Sequence, residues 1–290
     1  GDKTLKPPPF IYHDPDNLEE ALSLIGSLDN AKILAGGQSL MPMLNMRYVL
    51  PDHVIDLNRI KDLSYIREQD GRIEIGAMTR QRDLEFSDLL WKYCPLMRKA
   101  LVQVGHRQTR NRGTIGGSLC HLDPAAELTT VLAVLDARVS VIGSNGKREI
   151  SISEFPAFYM TPAIEPDEIV TSINFAYWSA GHHSSFVEFS RRPGDFAVIG
   201  VGVMLNMDTN NTIKQASIAL AGAGSAPVRC SDAEKILIGS RAEDSLIQKA
   251  AATCRDINAM ADVYASSAYR KHLAVELTAR AINTAITDLA

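Results

Sequence analysis

The sequence contains few cysteines, and none of them form a close pair. Its four cysteines (Cys94, Cys120, Cys230 and Cys254) lie far apart, without a CxxC motif. This spacing argues against a zinc ribbon, a cysteine-ligated iron–sulfur cluster and a framework of disulfides in this chain. Because dispersed free cysteines are typical of reducing compartments, we expect the protein in the cytoplasm.

The sequence also lacks a long apolar run and an excess of charge of one sign. Its longest apolar stretch, residues 196–205, has about ten residues, whereas a bilayer span needs roughly 20. We therefore expect a buried strand there and no membrane span. The N-terminal segment has no apolar region typical of a signal peptide. The formal net charge of −4 argues against a nucleic-acid partner held by phosphate contacts.

Several common catalytic and nucleotide-binding motifs are missing. There is no GxxxxGK[ST], HExxH or GxSxG pattern. Gly222-Ala223-Gly224 follows a predicted strand, but it lacks the third glycine of a Rossmann fingerprint. Cys120 and His121 are adjacent, and neighbouring residues on an extended segment point to opposite faces, so they make a poor nucleophile–base pair. We find no catalytic acid or base and no metal site.

What the sequence does contain indicates a folded chain of two or three compact units. Of its 290 residues, 46% are hydrophobic and 22% are charged, as in ordinary globular proteins. The pattern of elements predicts an α+β fold. We expect an N-terminal α/β unit over residues 1–60, a second α+β unit over 61–178, and a C-terminal α+β unit over 183–290, with a linker near 179–183.

The predicted elements follow local signals. Asp14-Pro15 is expected to open a helix, and strands are expected over 32–35 and 53–57. Turns at Asp70-Gly71 and Asn145-Gly146 predict hairpins. Helices are predicted over 80–90 and 95–104 and from Pro124, and Gly105–Leu122 is predicted to be loop. The C-terminal unit should contain three antiparallel strands (184–191, 197–206 and 212–221) and helices near 231–237, 244–257 and 267–288.

Two glycine-containing segments are the best candidates for a ligand site. Ala35–Ser39 follows a predicted strand, and two adjacent glycines allow backbone N–H groups to point into one concavity. Thr114–Ser118 repeats this chemistry, and Arg107, Arg110 and Arg112 precede it. Together the segments fit the two ends of a dinucleotide diphosphate. A plain tight turn and a solvated arginine surface are the alternatives.

At these residues the sequence resembles a known family. Ala35–Arg47 and Arg110–Leu119, extended by Asp123–Glu127, Glu168–Val170 and Ser190–Ala197, resemble the FAD-binding medium subunit of molybdenum hydroxylases such as carbon monoxide dehydrogenase and xanthine dehydrogenase. The resemblance covers essentially the whole chain. It implies the two-part FAD-binding fold of the vanillyl-alcohol oxidase and MurB type, followed by a C-terminal flavoprotein domain.

The resemblance also implies which residues bind FAD. The first segment of the family maps onto Ile33, Leu34, Ala35, Gly36, Gly37, Gln38, Ser39 and Leu40. The second maps onto Gly105, Thr109, Thr114, Ile115, Gly116, Gly117 and Ser118. An acidic residue of the family falls on Glu127, which could instead be an acid in the first turn of a helix. Ile169 and Val170 match a pair that closes over the cofactor, and they could equally be strand core.

By this resemblance the chain is an electron-transfer subunit. A small subunit with two [2Fe–2S] clusters would supply electrons, a large subunit would carry the molybdenum cofactor, and the complex would be a dimer of heterotrimers. Two alternatives stay open: a stand-alone FAD-dependent oxidoreductase and a flavin-free scaffold subunit. The chain lacks the cysteine-rich insertion of the benzoyl-CoA reductase branch, and it reads Phe186-Val187-Glu188-Phe189 where the xanthine dehydrogenase branch has a lysine before two arginines.

Overall fold

A computed structural model of the chain describes residues 5–287. The N-terminal unit has a three-stranded parallel sheet in which β3 lies between β1 and β2. Its elements are β1 (Ile11–His13), α1 (Leu18–Ser27), β2 (Ala31–Leu34), α2 (Leu40–Asn45) and β3 (His53–Asp56). The sequence predicted β2 and β3 but not the three-residue β1.

Helix α1 begins three residues later than Asp14-Pro15 suggests. Asn17 is the N-cap residue, and its side-chain oxygen accepts the backbone N–H of Glu20 at 2.9 Å. The Glu20 carboxylate in turn accepts the backbone N–H of Asp16 at 3.0 Å. This reciprocal arrangement resembles a capping box and explains the later start. The apolar face of α1 buries Ala21 and Ile25 against the sheet.

The middle unit is built on a five-stranded antiparallel sheet. Its strands, in the spatial order β4-β5-β10-β6-β7, are β4 (Ile66–Gln69), β5 (Arg72–Gly76), β10 (Ile169–Ala176), β6 (Arg138–Gly143) and β7 (Gly146–Ser151). A small separate ladder joins β8 (Pro156–Phe158) to β9 (Thr161–Pro162). Both predicted hairpins form. At the first, Asp70 and Gly71 have φ values of 52° and 78°, as a type I′ turn requires.

Six short helices complete this unit. They are α3 (Gln81–Glu85), α4 (Asp88–Tyr93), α5 (Pro95–Leu101), α6 (Arg107–Arg112), α7 (Ile115–His121) and α8 (Glu127–Val134). The helix predicted over 80–90 is divided, because Ser87 caps a new helix through its hydroxyl. The prediction of a loop over Gly105–Leu122 is wrong, since α6 and α7 occupy most of that stretch.

The C-terminal unit is an antiparallel sheet covered by helices. Its elements are β11 (His183–Ser190), β12 (Ala197–Met207), β13 (Ile213–Ala221), β14 (Val228–Arg229), α9 (Ser231–Leu237), α10 (Asp244–Ala252) and α11 (Ser267–Thr287). The short β14 adds a fourth strand to the three that were predicted. The predicted end of the last helix at residue 288 lies outside the described residues.

The two faces of this sheet have different partners. One face packs on α11 and forms a core that includes Val201, Ile218 and Ile282. On the other face, Phe186, Met204 and Ala219 belong to the core of the middle unit. The hydrophobic core is therefore continuous across the segment that was predicted as a linker.

His182, within that segment, is buried. Its side chain is 7% exposed, and Nδ1 lies 3.1 Å from the carbonyl oxygen of Ser179. Burial lowers the pKa of this imidazole. No helix between residues 5 and 287 combines the length and the hydropathy that a bilayer span requires.

Candidate cofactor-binding site

The first glycine segment leaves the end of β2 and leads into α2. Within the described chain, the backbone N–H groups of residues 36–39 donate no hydrogen bond to protein. Gly37 has φ +72°, a left-handed conformation that suits glycine. Gly36 is buried, but Gly37 and Ser39 are half-exposed and Gln38 is exposed, so the N–H groups of residues 37–39 are accessible to a ligand. A run of free backbone N–H groups is a binding site for an anion such as a diphosphate.

The second glycine segment has a different local structure. Thr114 is the N-cap residue of α7, and its hydroxyl oxygen accepts the N–H of Gly117 at 3.0 Å. The N–H of Ile115 donates to the Thr79 carbonyl oxygen at 3.2 Å, and that of Gly116 donates to the Ala77 carbonyl oxygen at 2.9 Å. These donors are used inside the protein. The segment is thus a capped helix start rather than a second loop of free N–H groups.

The glycines of the two segments allow close contact between them. A Cβ on Gly36 would lie 2.2 Å from the Arg112 carbonyl oxygen, which precedes α7. A Cβ on Gly117 would lie 3.4 Å from the Cβ of Ala35 and 2.8 Å from the Thr114 hydroxyl oxygen. The structure therefore joins the two sequence-predicted segments into one surface, and their glycines are required by packing as well as by any ligand.

Arg80 and Asn58 connect the two segments from behind. The Arg80 guanidinium donates to the Arg112 carbonyl oxygen and to Asn58 Oδ1. Asn58 Nδ2 donates to the Ala35 carbonyl oxygen at 2.9 Å. Burial, followed by the nearby charge of Arg112, lowers the pKa of Arg80. Sequence analysis missed both residues, because neither lies in a recognisable motif and only the fold brings them together.

Gly105 and Thr109 lie at the start of α6. Gly105 has φ +43°, and a Cβ there would lie 3.3 Å from Thr109 Oγ1. His106, the N-cap residue of α6, lies against Gly194 in the turn between β11 and β12: a Cβ on Gly194 would be 2.5 Å from His106 Cε1. The C-terminal sheet thus reaches this part of the candidate site.

The three arginines before the second segment have different environments. Arg110 is 11% exposed, and its Nε lies 2.9 Å from Oε2 of Glu85, which is 8% exposed. It also donates to the Val104 carbonyl oxygen at 2.9 Å. Arg110 is consequently an internal structural residue rather than part of a solvated arginine surface. Arg107 and Arg112 are exposed, which agrees with the interpretation of a solvated arginine surface.

Two carboxyl groups lie together at the start of α8. The pKa of Glu127 is raised to about 8, chiefly by burial and to a smaller extent by the nearby charges of Glu188 and Asp123. Burial also raises the pKa of Glu188 to about 7. Sequence analysis named Glu127 as a site residue and noted Glu188 only as a departure from relatives. The position of Glu188 becomes apparent only from the strand register.

Other sequence candidates lie in less accessible places. Ile169 and Val170 begin β10 and are 2% and 5% exposed, each inside a hydrophobic core. Their contact with a cofactor stays a prediction, and the packing matches the strand-core alternative. Burial raises the pKa of Cys120 to about 12, so its thiol is not activated. Among residues 5–287 no group of His, Cys, Asp or Glu side chains is arranged to hold a metal ion.

Comparison with known proteins matches both parts of the chain to families. Residues 8–178 match the FAD binding domain in molybdopterin dehydrogenase, and residues 184–285 match the CO dehydrogenase flavoprotein C-terminal domain. The chain belongs to the FAD-binding medium subunits of the molybdenum hydroxylases. Both the predicted family and the predicted fold class are confirmed.

Relatives of this family align over almost their full length. The alpha subunit of the 6-hydroxypseudooxynicotine dehydrogenase complex of Paenarthrobacter nicotinovorans is 38% identical, with 97% of this chain and 96% of the relative covered. The glyceraldehyde dehydrogenase medium chain of Sulfolobus acidocaldarius is 34% identical, with 95% and 98% covered. The solved carbon monoxide dehydrogenase of Hydrogenophaga pseudoflava superposes with a TM-score of 0.94 at 32% identity, covering 98% of this chain and 99% of that chain.

FAD is accordingly the cofactor of this chain, which is a subunit of an oxidoreductase. The site has features that fit this cofactor. The free N–H groups of residues 36–39 can receive a diphosphate, and the half-buried Arg80 supplies positive charge behind them. At the start of α8, Glu188 has a buried carboxyl oxygen without a hydrogen-bond partner in the described chain. An orphaned buried polar atom of this kind is available to a ligand.

Proposed function

We propose that this chain is the electron-transfer subunit of a heterotrimeric molybdenum hydroxylase. In this role it takes electrons from the [2Fe–2S] clusters of a small subunit and passes them to an external acceptor. A large subunit with the molybdenum cofactor hydroxylates the substrate. The support comes from relatives named as medium chains of two dehydrogenases and as the medium subunit of nicotine 6-hydroxylase, which match this chain nearly end to end.

The observation that carries the proposal is the joined glycine surface. Residues 33–40 would form the diphosphate segment, with the free N–H groups of residues 36–39 as the donors, and Arg80 would favour the negative charge of the diphosphate. The second set, Gly105, Thr109 and residues 114–118, would line the cofactor from α6 and α7. Glu127, Ile169 and Val170 complete the proposed contacts. FAD itself supplies the chemistry of accepting and releasing electrons.

The residues of the site would bind and orient the cofactor and shield it from solvent. Gly36 and Gly117 let the two segments meet without intervening side chains, so the cofactor would lie against backbone. The turn containing Gly194 packs against His106 at the N-terminal end of α6. We further propose three units over residues 1–60, 61–178 and 183–290, assembly as a dimer of heterotrimers, and a cytoplasmic location, the last on the dispersed cysteines.

Purification of the chain from its native source tests this function. We expect iron–sulfur and molybdenum subunits to co-purify, with about two [2Fe–2S] clusters per flavin, and light scattering should give the mass of two heterotrimers. Acid precipitation should release FAD, and not FMN, into the supernatant. Chemical analysis of metals and mass spectrometry of the co-purifying chains provide the readout.

The isolated chain distinguishes the alternatives. Its FAD should be reducible by dithionite but not by the organic substrate of the complex. Substrate-dependent turnover by the lone chain would instead support a stand-alone oxidoreductase. Absence of flavin from both the chain and the complex would support a scaffold subunit and contradict the proposal.

A further inference from the structure

Glu188 lies on the face of the C-terminal sheet that contacts the middle unit. Side chains alternate along β11. Ser185 Oγ donates to the Ala281 carbonyl oxygen of α11, and Val187 packs in the C-terminal core. Phe186 belongs to the core of the middle unit. Glu188, two residues beyond Phe186, therefore points to the same side as Phe186, away from α11.

The strand register places Glu188 at the start of α8. Glu188 pairs with Gly200 on β12, and Gly200 pairs with Ala221 on β13. The next residue, Gly222, donates its N–H to the Pro124 carbonyl oxygen at 2.7 Å, just before α8 begins. Gly200 places no side chain opposite Glu188. The ring of Phe186 lies over this glycine, since a Cβ on Gly200 would be 3.3 Å from Phe186 Cζ. The Glu188 carboxyl group is near enough to Glu127 for its charge to raise the pKa of Glu127.

The surroundings of Glu188 contain little to neutralise a charge. Its Oε2 is buried and has no hydrogen-bond partner in the described chain. The connection before α8 contributes a further acid, Asp123; the charges of Asp123 and Glu188 both raise the pKa of Glu127. From α5, the Lys99 ammonium donates to the Ser184 carbonyl oxygen at 2.7 Å, four residues away along β11.

The remaining charged groups near Glu188 lie in the turn after β11. Arg191 and Asp195 approach each other at 4.0 Å and are partly or fully exposed, and the side chain of Arg192 is exposed. Strand β12, which pairs with β11 directly, has no charged residue between Ala197 and Met207. Burial without a partner favours the protonated carboxyl group.

We propose that Glu188 and Glu127 form a carboxyl pair beside the flavin that takes up a proton when the flavin is reduced. This inference rests on the proposed FAD site. Two electrons, supplied by the iron–sulfur clusters of the proposed complex or by the reductant used in the titration, and one proton would convert FAD to its anionic reduced form. One further proton from water would convert a carboxylate of the pair to a carboxylic acid. The flavin gains one negative charge on reduction, and uptake of the proton removes one negative charge from the neighbouring carboxyl pair. Glu188 acts on the flavin through its charge and not by contact with the reacting atoms. The two carboxyl groups interact, so their protonation is described for the pair as a whole.

The test is the midpoint potential of the bound flavin in the purified complex between pH 6 and pH 9. We compare the unchanged protein with Glu188→Gln and with Glu154→Gln, which removes an exposed carboxyl group and serves as the control. By Coulomb's law, a carboxylate about 10 Å from the flavin at an effective dielectric constant of about 20 changes the reduction equilibrium by about tenfold. For two electrons that is about 30 mV.

At pH 6 the potentials of the unchanged protein and Glu188→Gln should be nearly equal. At pH 9, where the pair is ionised, the unchanged protein should be about 30 mV more negative than Glu188→Gln. Glu154→Gln should follow the unchanged protein throughout. A pH-independent difference between the unchanged protein and Glu188→Gln would overturn the inference. If Glu188→Gln does not fold, Glu127→Gln is measured with the same expectation.

Flavin content separates this inference from the proposed function. It is measured first, on the unchanged complex. A complex without FAD contradicts the proposed function and leaves no potential to measure. A complex with full FAD and a pH-independent difference in potential contradicts only the role of the carboxyl pair.

Discussion

Replacing Gly36 by Ala should separate the two glycine segments. The added Cβ would lie 2.2 Å from the Arg112 carbonyl oxygen and 2.8 Å from the Gly113 Cα. Observed Cβ contacts essentially never fall below 3.0 Å, so the backbone must open by at least about 0.8 Å. The neighbouring atoms are backbone and cannot rotate away. The Arg112 carbonyl oxygen is also bound by Arg80, so the displacement strains that contact too.

Overpacking of this kind costs roughly 1–3 kcal/mol of unfolding free energy. For a chain of this size, that corresponds to a fall in melting temperature of roughly 2–10 °C. Displacement of the free N–H groups should weaken FAD binding as well. A loss of one charge-assisted hydrogen bond, about 1.5–3 kcal/mol, raises the dissociation constant by about tenfold or more.

Two measurements follow on the same preparation: melting of the FAD-free protein by circular dichroism, and FAD affinity by quenching of flavin fluorescence. Gly26→Ala is the matched control, because a Cβ there meets nothing within 4 Å. As Gly26 lies inside α1, Ala should raise stability by about 0.5–1 kcal/mol. Unchanged melting and FAD affinity in Gly36→Ala would refute the contact between the two segments.

Three further predictions concern charged side chains. Arg110→Ala leaves the buried Glu85 carboxylate with only the longer 3.5 Å contact to Arg82 and should lower the free energy of unfolding, measured with denaturant, by up to about 3–5 kcal/mol. The exposed Arg107→Ala should change it by less than about 0.5 kcal/mol; equal effects would contradict the assigned environments. Arg80→Gln should weaken FAD binding about tenfold, as measured by flavin fluorescence, and full affinity would remove Arg80 from the site. Because the folded pKa of Glu127 is raised to about 8, the folded state binds more protons between about pH 4.5 and pH 8. Stability should therefore fall as pH rises through that window, by at most about 1.4 kcal/mol per pH unit. Unfolding at pH 5 and pH 9 should show a smaller fall in Glu127→Gln, and an unchanged fall would contradict this assignment.

Local turn chemistry made much of the fold predictable from sequence. Asp70-Gly71 and Asn145-Gly146 led to correct hairpins, and the long apolar run led to β12. The loop prediction over Gly105–Leu122 failed because its glycines were interpreted as signals of flexibility. In the structure Gly116 lies in a helix, where a Cβ would be 2.7 Å from the Cβ of Ala77. Sequence shows that a residue is glycine but not which neighbour makes it necessary.

The candidate site was predictable only where its residues form motifs. The two glycine segments were identified together, and the fold brings them into contact. Arg80 and Asn58, 22 residues apart, connect them without any local pattern. Glu188 could not be assigned either, since the direction of its side chain depends on its pairing with Gly200. Long-range register and buried hydrogen bonds are properties of the folded chain.

The continuous core that includes Phe186, Met204 and Ala219 limits how the two parts of the chain can be exchanged between members of this family. The two family matches meet between residues 178 and 184, which suggests a convenient junction for exchanging halves between relatives. The hydrophobic core crosses that junction, because residues of the C-terminal sheet are part of the core of the middle unit. In a chimera joined there, the two sides of one hydrophobic core would come from different relatives, and their side chains would not be matched in shape. Exchange should succeed only when the inward-facing residues of β11, β12 and β13 are carried over with the helices they cover.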